Sequence, residues 1–177
     1  MGSKKKAGIA IAVVVIVIVV VLLVIYVIPF PPHFGYASES QVNSATGSKF
    51  TSSSNNSNFT GLSGAKSTSY KQYGSGTDMV LIAVAEYNTS SEASLQFGNL
   101  TASLSAISSF SGLTYHNMTD KGFTVFYGSA SYFTLSVIFA IGRNSNYLFA
   151  IVGELPSGST SAALTLARDQ VSAMTSI

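Results

Sequence analysis

The sequence predicts an α+β protein built as an N-terminal transmembrane helix, a flexible stalk and a small two-layer domain, in which two helices and an antiparallel sheet follow the order β-α-β-β-β-α. Three observations predict it. Ala7 to Ile28 is a run of twenty-two residues without a charge. Residues 38–77 are dominated by Ser, Thr, Asn and Gly. From Asp78 onward the apolar residues switch between the two-residue period of strands and the 3.6-residue period of helices.

The span comes first. At about 1.5 Å per residue the run reaches roughly 33 Å, enough for a ~30 Å hydrocarbon core. Val and Ile dominate it and are mediocre helix formers in water, but lipid leaves a single segment no other way to satisfy its backbone. Lys4-Lys5-Lys6 precede it and the next basic residue is Lys49, so residues 1–6 are expected in the cytoplasm and everything beyond the span outside. Tyr26, Phe30, Phe34 and Tyr36 fall where the chain leaves the bilayer, and Pro29, Pro31 and Pro32 end the helix. A cleaved secretory signal is disfavoured because its apolar region runs to about 7 to 15 residues, although Gly35-Tyr36-Ala37 offers small residues for cleavage. Myristoylation is disfavoured because Lys6 stands where Ser or Thr is wanted. Gly8 and Ala12 form one small-xxx-small pair, and no polar residue inside the span marks an ion path.

Residues 29–77 read as an extracytoplasmic linker, with too little apolar surface to offset the entropy of ordering it. Forty flexible residues span an r.m.s. distance of roughly 30 to 40 Å, which would hold the distal domain clear of the membrane. Ser67 to Tyr73, with Tyr70 and Tyr73, is the one stretch in it that suits an added edge strand.

Residues 78–177 form the expected α+β domain. Met79, Leu81, Ala83, Ala85 and Tyr87 alternate with Val80, Ile82 and Val84, a strand at least partly covered on both faces. Thr89 and Glu92 have capping-box spacing, and Ala93, Phe97, Leu100, Leu104 and Ile107 recur at helical intervals to about Ser108, with Gly98 weakening that helix by about 1 kcal/mol. Gly122 to Gly128 is a short strand and Tyr132 to Ile141 a longer one. Arg143 to Asn146 reads as a turn from which Tyr147 to Gly153 returns antiparallel. Pro156 to Gly158 breaks that strand, and Ser159 or Thr160 caps a last helix with Leu164, Ala167, Val171 and Met174 as its stripe. One stripe per helix suggests both helices on one face of the sheet.

Composition excludes several functions. Charged residues are 9% of the chain against a usual ~25%, and removing the three N-terminal lysines from nine basic residues leaves six against seven acidic. Such a balance gives no footprint for nucleic acid. With no cysteine there are no disulfides, thiolate catalysis or Cys-ligated metals. Few groups titrate between neutrality and low pH, so stability should vary little with acidity. A surface of hydroxyls and amides, a Val/Ile-rich anchor and frequent sequons together resemble, in compositional style, the single-pass surface proteins of thermoacidophilic archaea. That resemblance implies a place in a cell envelope and nothing about activity.

Catalytic chemistry finds few residues to carry it. The only histidines are His33, beside the membrane-edge prolines, and His116, in Tyr115 to Thr119, a stretch that reads as a loop. Gly61-Leu62-Ser63-Gly64 misses the nucleophile-elbow spacing by one residue. Asp78, Glu86, Glu92, Asp120, Glu154 and Asp169 lie far apart and form no metal-binding motif, and Glu86 with Glu154 is the one pair of carboxylates on predicted strands that would suit a glycosidase. Gly74-Ser75-Gly76 is too short for a phosphate cradle and reads as the end of the linker. No catalytic residue, cofactor or metal is therefore expected.

The recurrent motif is the N-glycosylation sequon, at Asn55, Asn58, Asn88, Asn99 and Asn117. All five lie on the side assigned as external. The leading expectation is a membrane-anchored, extracytoplasmic, non-enzymatic glycoprotein that binds an envelope protein or glycan, or serves as an accessory subunit of a membrane complex. Its partners are the lipid bilayer and an envelope component. The short basic leader, Ala7-Gly8 and the long apolar helix also resemble an archaeal type IV pilin precursor. That resemblance implies cleavage near Lys6-Ala7 and packing into a filament, against which stand the early prolines and a helix-containing head. A third reading is an extracytoplasmic enzyme or ligand-binding module, which requires His116 beside two carboxylates in a pocket.

Overall fold

The computed structural model describes residues 34–50, 52–56, 62–111, 113–132 and 135–176. The expected span 7–28 and His33 lie outside them, and among the described residues no helix is long and apolar enough to cross a membrane. The elements run α1 (Glu39–Thr46), β1 (Ser52–Asn56), β2 (Ser67–Ser75), β3 (Asp78–Glu86), α2 (Ser90–Ser111), β4 (Thr114–Asp120), β5 (Phe123–Tyr132), β6 (Leu135–Asn144), β7 (Tyr147–Leu155) and α3 (Thr160–Thr175). The α+β class and the antiparallel sheet are as the sequence predicts. Six strands of seven to ten residues, with the five-residue β1 added at one edge, lie in the order β1-β2-β3-β7-β6-β5-β4, every neighbour antiparallel.

Hairpins build this sheet, and local residues set their turns. Asp120 pairs with Phe123 around Lys121 and Gly122, both at positive φ (44° and 82°) as a type I′ turn requires. Ser75 pairs with Asp78 around Gly76 at φ 62°, which places the Gly74-Ser75-Gly76 stretch in a hairpin rather than at the end of a linker. The sequence reading of residues 115–119 as a loop is corrected by β4. It is an edge strand, exposed over most of its length, so it lacks the apolar alternation by which a half-buried strand is recognised.

Helices cover both faces of the sheet. On one, Val80, Ile82, Val84, Phe149, Ile151, Ile138, Ala140 and Val125 pack against Ala163, Leu166, Ala167 and Val171 of α3, with Val42 of α1 beside them. On the other, Leu81, Ala83, Ala85, Ile141 and Leu148 pack with Ala93 of α2, and Phe97, Leu100 and Leu104 lie against them. The expected two-layer arrangement with both helices on one face is therefore replaced by three layers. The cause lies in β3, where six consecutive residues from Val80 to Ala85 are buried. A strand apolar on both faces needs a cover on each. Along α3 the buried residues are Ala162, Ala163, Leu166, Ala167, Gln170 and Val171, a face rotated from the expected stripe so that Leu164 is only half-buried.

The long linker is also corrected, for residues 34–50 and 62–77. Ser38 caps α1 in a full capping box: its Oγ accepts from the Gln41 N–H at 3.3 Å, and Gln41 Oε1 accepts from the Ser38 N–H at 2.8 Å. Gly47, at φ 71°, ends the helix. Ala37, Val42, Phe50, Leu62 and Tyr73 are buried. The strand expected at Ser67 to Tyr73 is β2, extended to nine residues, but it is not an edge strand as the sequence predicts, because the short β1 pairs along its outer side. Ordering entropy is offset here by a few large side chains and by polar side chains that bond the backbone, not by a run of apolar residues.

Candidate functional site

A polar cleft lies at the β2–β3 hairpin. It has a volume of about 380 Å³ and is lined by Gln72, Gly74 to Met79 and Glu154. Asp78 is held there by the Ser48 hydroxyl, which donates to Oδ2 at 3.2 Å, and Gln72 Nε2 donates to the Met79 sulfur at 3.3 Å. Two carboxylates, an amide, two hydroxyl residues, two glycines and one methionine line this recess, whereas ligand pockets are mostly apolar with a few placed polar groups. His116 is not part of it.

His116 stands on β4 at the opposite edge of the sheet, exposed, with its ring 5.7 Å from that of Tyr127. Among the described residues no three His, Asp or Glu side chains come together as metal ligands would. Glu86 and Glu154 do not meet either. Glu86 pairs with Tyr147 and Glu154 with Met79, so the two stand at opposite ends of the β3–β7 ladder, roughly 23 Å apart at about 3.3 Å per residue. A glycosidase pair is separated by about 5 to 9.5 Å.

The sequons fall into a pattern that linear sequence hides. Asn88, Asn99 and Asn117 are all exposed. Asn88 immediately precedes the Thr89–Glu92 capping box of α2, in which Thr89 Oγ1 accepts from the Glu92 N–H at 3.2 Å and Glu92 Oε2 from the Thr89 N–H at 3.1 Å. Asn99 lies on α2, and Asn117 pairs with Phe126, which pairs with Ile141 of the α2-facing core. Asn99 and Asn117 therefore share the α2 side, and neither α1 nor α3 carries a sequon. Asn55 lies on β1, and Asn58 lies outside the described residues.

Two buried groups carry no sequence signal of their roles. Gln170 of α3 is fully buried; its Oε1 accepts from the Ala37 N–H at 3.0 Å and its Nε2 donates to the Gly35 carbonyl at 2.9 Å. The Tyr73 hydroxyl donates to the Ala37 carbonyl. Together they fasten residues 35–37 to the sheet and to α3. Burial pushes the Tyr36 hydroxyl up to about 12, partly offset by Ser69, and raises the Tyr73 and Tyr87 hydroxyls as well. A glutamine on a helix and a tyrosine in a polar strand are unremarkable until the fold brings them together.

No family model matches the chain, and no curated protein matches it in sequence. A solved extracellular domain shares its fold. The extracellular domain of PknH from Mycobacterium tuberculosis matches with a TM-score of 0.55 at 11% identity, over 82% of this chain and 97% of that chain. That share exceeds what residues 78–177 supply, so the fold common to this chain and the PknH domain includes part of the region before Asp78. At this identity the likeness to PknH concerns fold alone.

Proposed function

We propose that this chain is a membrane-anchored extracytoplasmic protein, non-enzymatic, serving as a binding or accessory subunit of a cell envelope or membrane complex. The observation that carries the reading is the closeness of two features: the apolar run ends at Ile28, and by Phe34 the chain is packed against the domain core. A fold shared with a known extracellular domain agrees with this placement. The separation of His116, Glu86 and Glu154 favours binding over catalysis. Glycans on Asn99 and Asn117 would occupy the α2 side of the domain.

An amine-reactive, membrane-impermeant label applied to intact cells tests the topology. Modification of Lys66, Lys71 and Lys121 with Lys4 to Lys6 untouched is expected; the reverse pattern overturns the reading. The N-terminal sequence of mature protein separates anchor from filament subunit, with Met1 or Gly2 expected for the anchor and Ala7 or Gly8 for a processed pilin. Proteins that co-purify from native membranes then identify the partner.

A further inference from the structure

The place where the chain joins the domain determines which end of the sheet faces the bilayer. Phe34 packs edge-on against Tyr147, with ring centroids 6.3 Å apart. Tyr147 begins β7 and pairs with Glu86 and Asn144, so it marks the end of the sheet that also holds the β4–β5 and β6–β7 turns. The C-terminal turn of α3 reaches the same end, where Lys121 Nζ donates to Ser172 Oγ at 3.0 Å. Only residues 29–33 separate Phe34 from the apolar run, and fully extended they cover about 17 Å at most. The headgroup layer takes up roughly 5 to 7 Å of this reach. The opposite end, at Thr77, stands about 30 Å away along strands of nine residues.

The side chains at the near end suit such a surface. Tyr147 is 38% exposed, the Lys66 side chain 56% exposed, and Lys121 is exposed at its turn. Leu95, in the second turn of α2, is 68% exposed. Long cationic side chains and amphipathic tyrosine are the groups that settle at a bilayer boundary. Carboxylates share this end: Glu86 is paired with Lys66 at 3.2 Å, Glu92 is engaged in the α2 cap, and Asp120 ends β4. The mixture is close to neutral, so attraction to anionic lipid is not the driving force.

We propose that this end of the sheet, centred on Tyr147 and bordered by Lys66, Lys121 and Leu95, rests on the lipid headgroups of the membrane in which the chain is anchored. The proposal rests on the anchored reading above. The tether holds the surface within reach, and the aromatic and aliphatic groups settle into the headgroup layer.

The chain has no tryptophan, so one introduced indole reports alone. Full-length Tyr147→Trp and Thr77→Trp variants are reconstituted in phosphatidylcholine vesicles containing a headgroup-nitroxide lipid. Loss of fluorescence from Tyr147→Trp, with none from Thr77→Trp, is expected. Equal quenching of the two, or none of either, overturns the docking. Leu95→Trp, at an exposed helical position, repeats the measurement if Tyr147→Trp fails to fold. Flotation of the same samples separates the two readings: chains that fail to float with the vesicles overturn the anchor, and chains that float without differential quenching overturn the docking alone.

Discussion

The buried carboxamide of Gln170 takes the place of a neighbouring strand for Ala37. It accepts the Ala37 N–H at 3.0 Å and donates to the Gly35 carbonyl at 2.9 Å, between residues at opposite ends of the domain sequence. Tyr73 supplies the remaining donor, to the Ala37 carbonyl. A segment that reads as the start of a stalk is in this way made part of the core.

Gln170→Leu would keep the volume and leave the buried Ala37 N–H and the part-buried Gly35 carbonyl without their partner, at about 1 to 3 kcal/mol for a fully buried group. A loss of roughly 2 to 5 kcal/mol is expected in denaturant unfolding. Gln170→Glu should cost more at neutral pH than at acid pH, because it places a carboxylate in the same buried site. A neutral effect of both substitutions would show that residues 35–37 do not depend on this contact.

Gly35 has no room for a side chain, since a Cβ there would collide with the Ala173 carbonyl of α3. Gly35→Ala should lift the segment from α3 at a cost of about 1 to 3 kcal/mol. Gly98→Ala is the contrasting change, with open space around its Cβ and a gain of about 1 kcal/mol in helix propensity expected. Thermal unfolding of the two variants should move in opposite directions.

The Thr89–Glu92 capping box predicts a measurable cost at the start of α2. Thr89→Ala removes the acceptor for the Glu92 N–H and should destabilise by about 1 kcal/mol. The Asn88 sequon survives this change because its third residue is Ser90. Peptide mapping of native protein should find glycan on Asn88, Asn99 or Asn117; unmodified asparagine at every sequon would remove the glycoprotein reading.

Stability should hold in acid and fall in alkali. Burial raises the Asp169 carboxyl, with Gln41 partly opposing, so the native state holds this proton more tightly than the unfolded chain; its stabilising effect is present at low pH and is lost as pH rises through the folded pKa. The Lys66–Glu86 pair has an exposed lysine and contributes little to stability. Tyr36, Tyr73 and Tyr87 are raised above their usual value of 10, Tyr36 to about 12, so the unfolded state releases protons first and stability drops as pH climbs beyond 10. Unfolding midpoints from pH 3 to pH 11 check both arms. Tyr87→Phe should reduce the alkaline loss without weakening the fold at neutral pH, since the Tyr87 hydroxyl is buried with no partner among the described residues.

The parts of the fold legible in the sequence are those whose stability comes from local pattern. β3, β6, β7, both long helices and the Thr89 cap follow from apolar spacing and from hydroxyl and carboxylate positions. β4 is illegible because Tyr115, His116 and Asn117 are exposed at an edge, where nothing requires alternation. The placement of α2 and α3 on opposite faces is hidden because an amphipathic stripe states that a helix is covered, not which face of the sheet covers it. α1 and the segment before it are hidden because Tyr73 and Gln170 order them through hydrogen bonds between residues distant in sequence. The sequons are legible one by one, but the common side of Asn99 and Asn117 depends on the register of β4 with β5.

Amide hydrogen exchange at Ala37, measured on the intact chain in a lipid bilayer, tests most directly whether the domain begins near the membrane or at the far end of a stalk. Ile82, fully buried in β3, sets the reference rate for the core. The predicted result is protection of the Ala37 N–H comparable with that of Ile82, because its opening requires release from Gln170 and Tyr73. Exchange of the Ala37 amide at the rate of an unstructured chain, with Ile82 still protected, would instead place residues 35–37 in a stalk outside the folded domain.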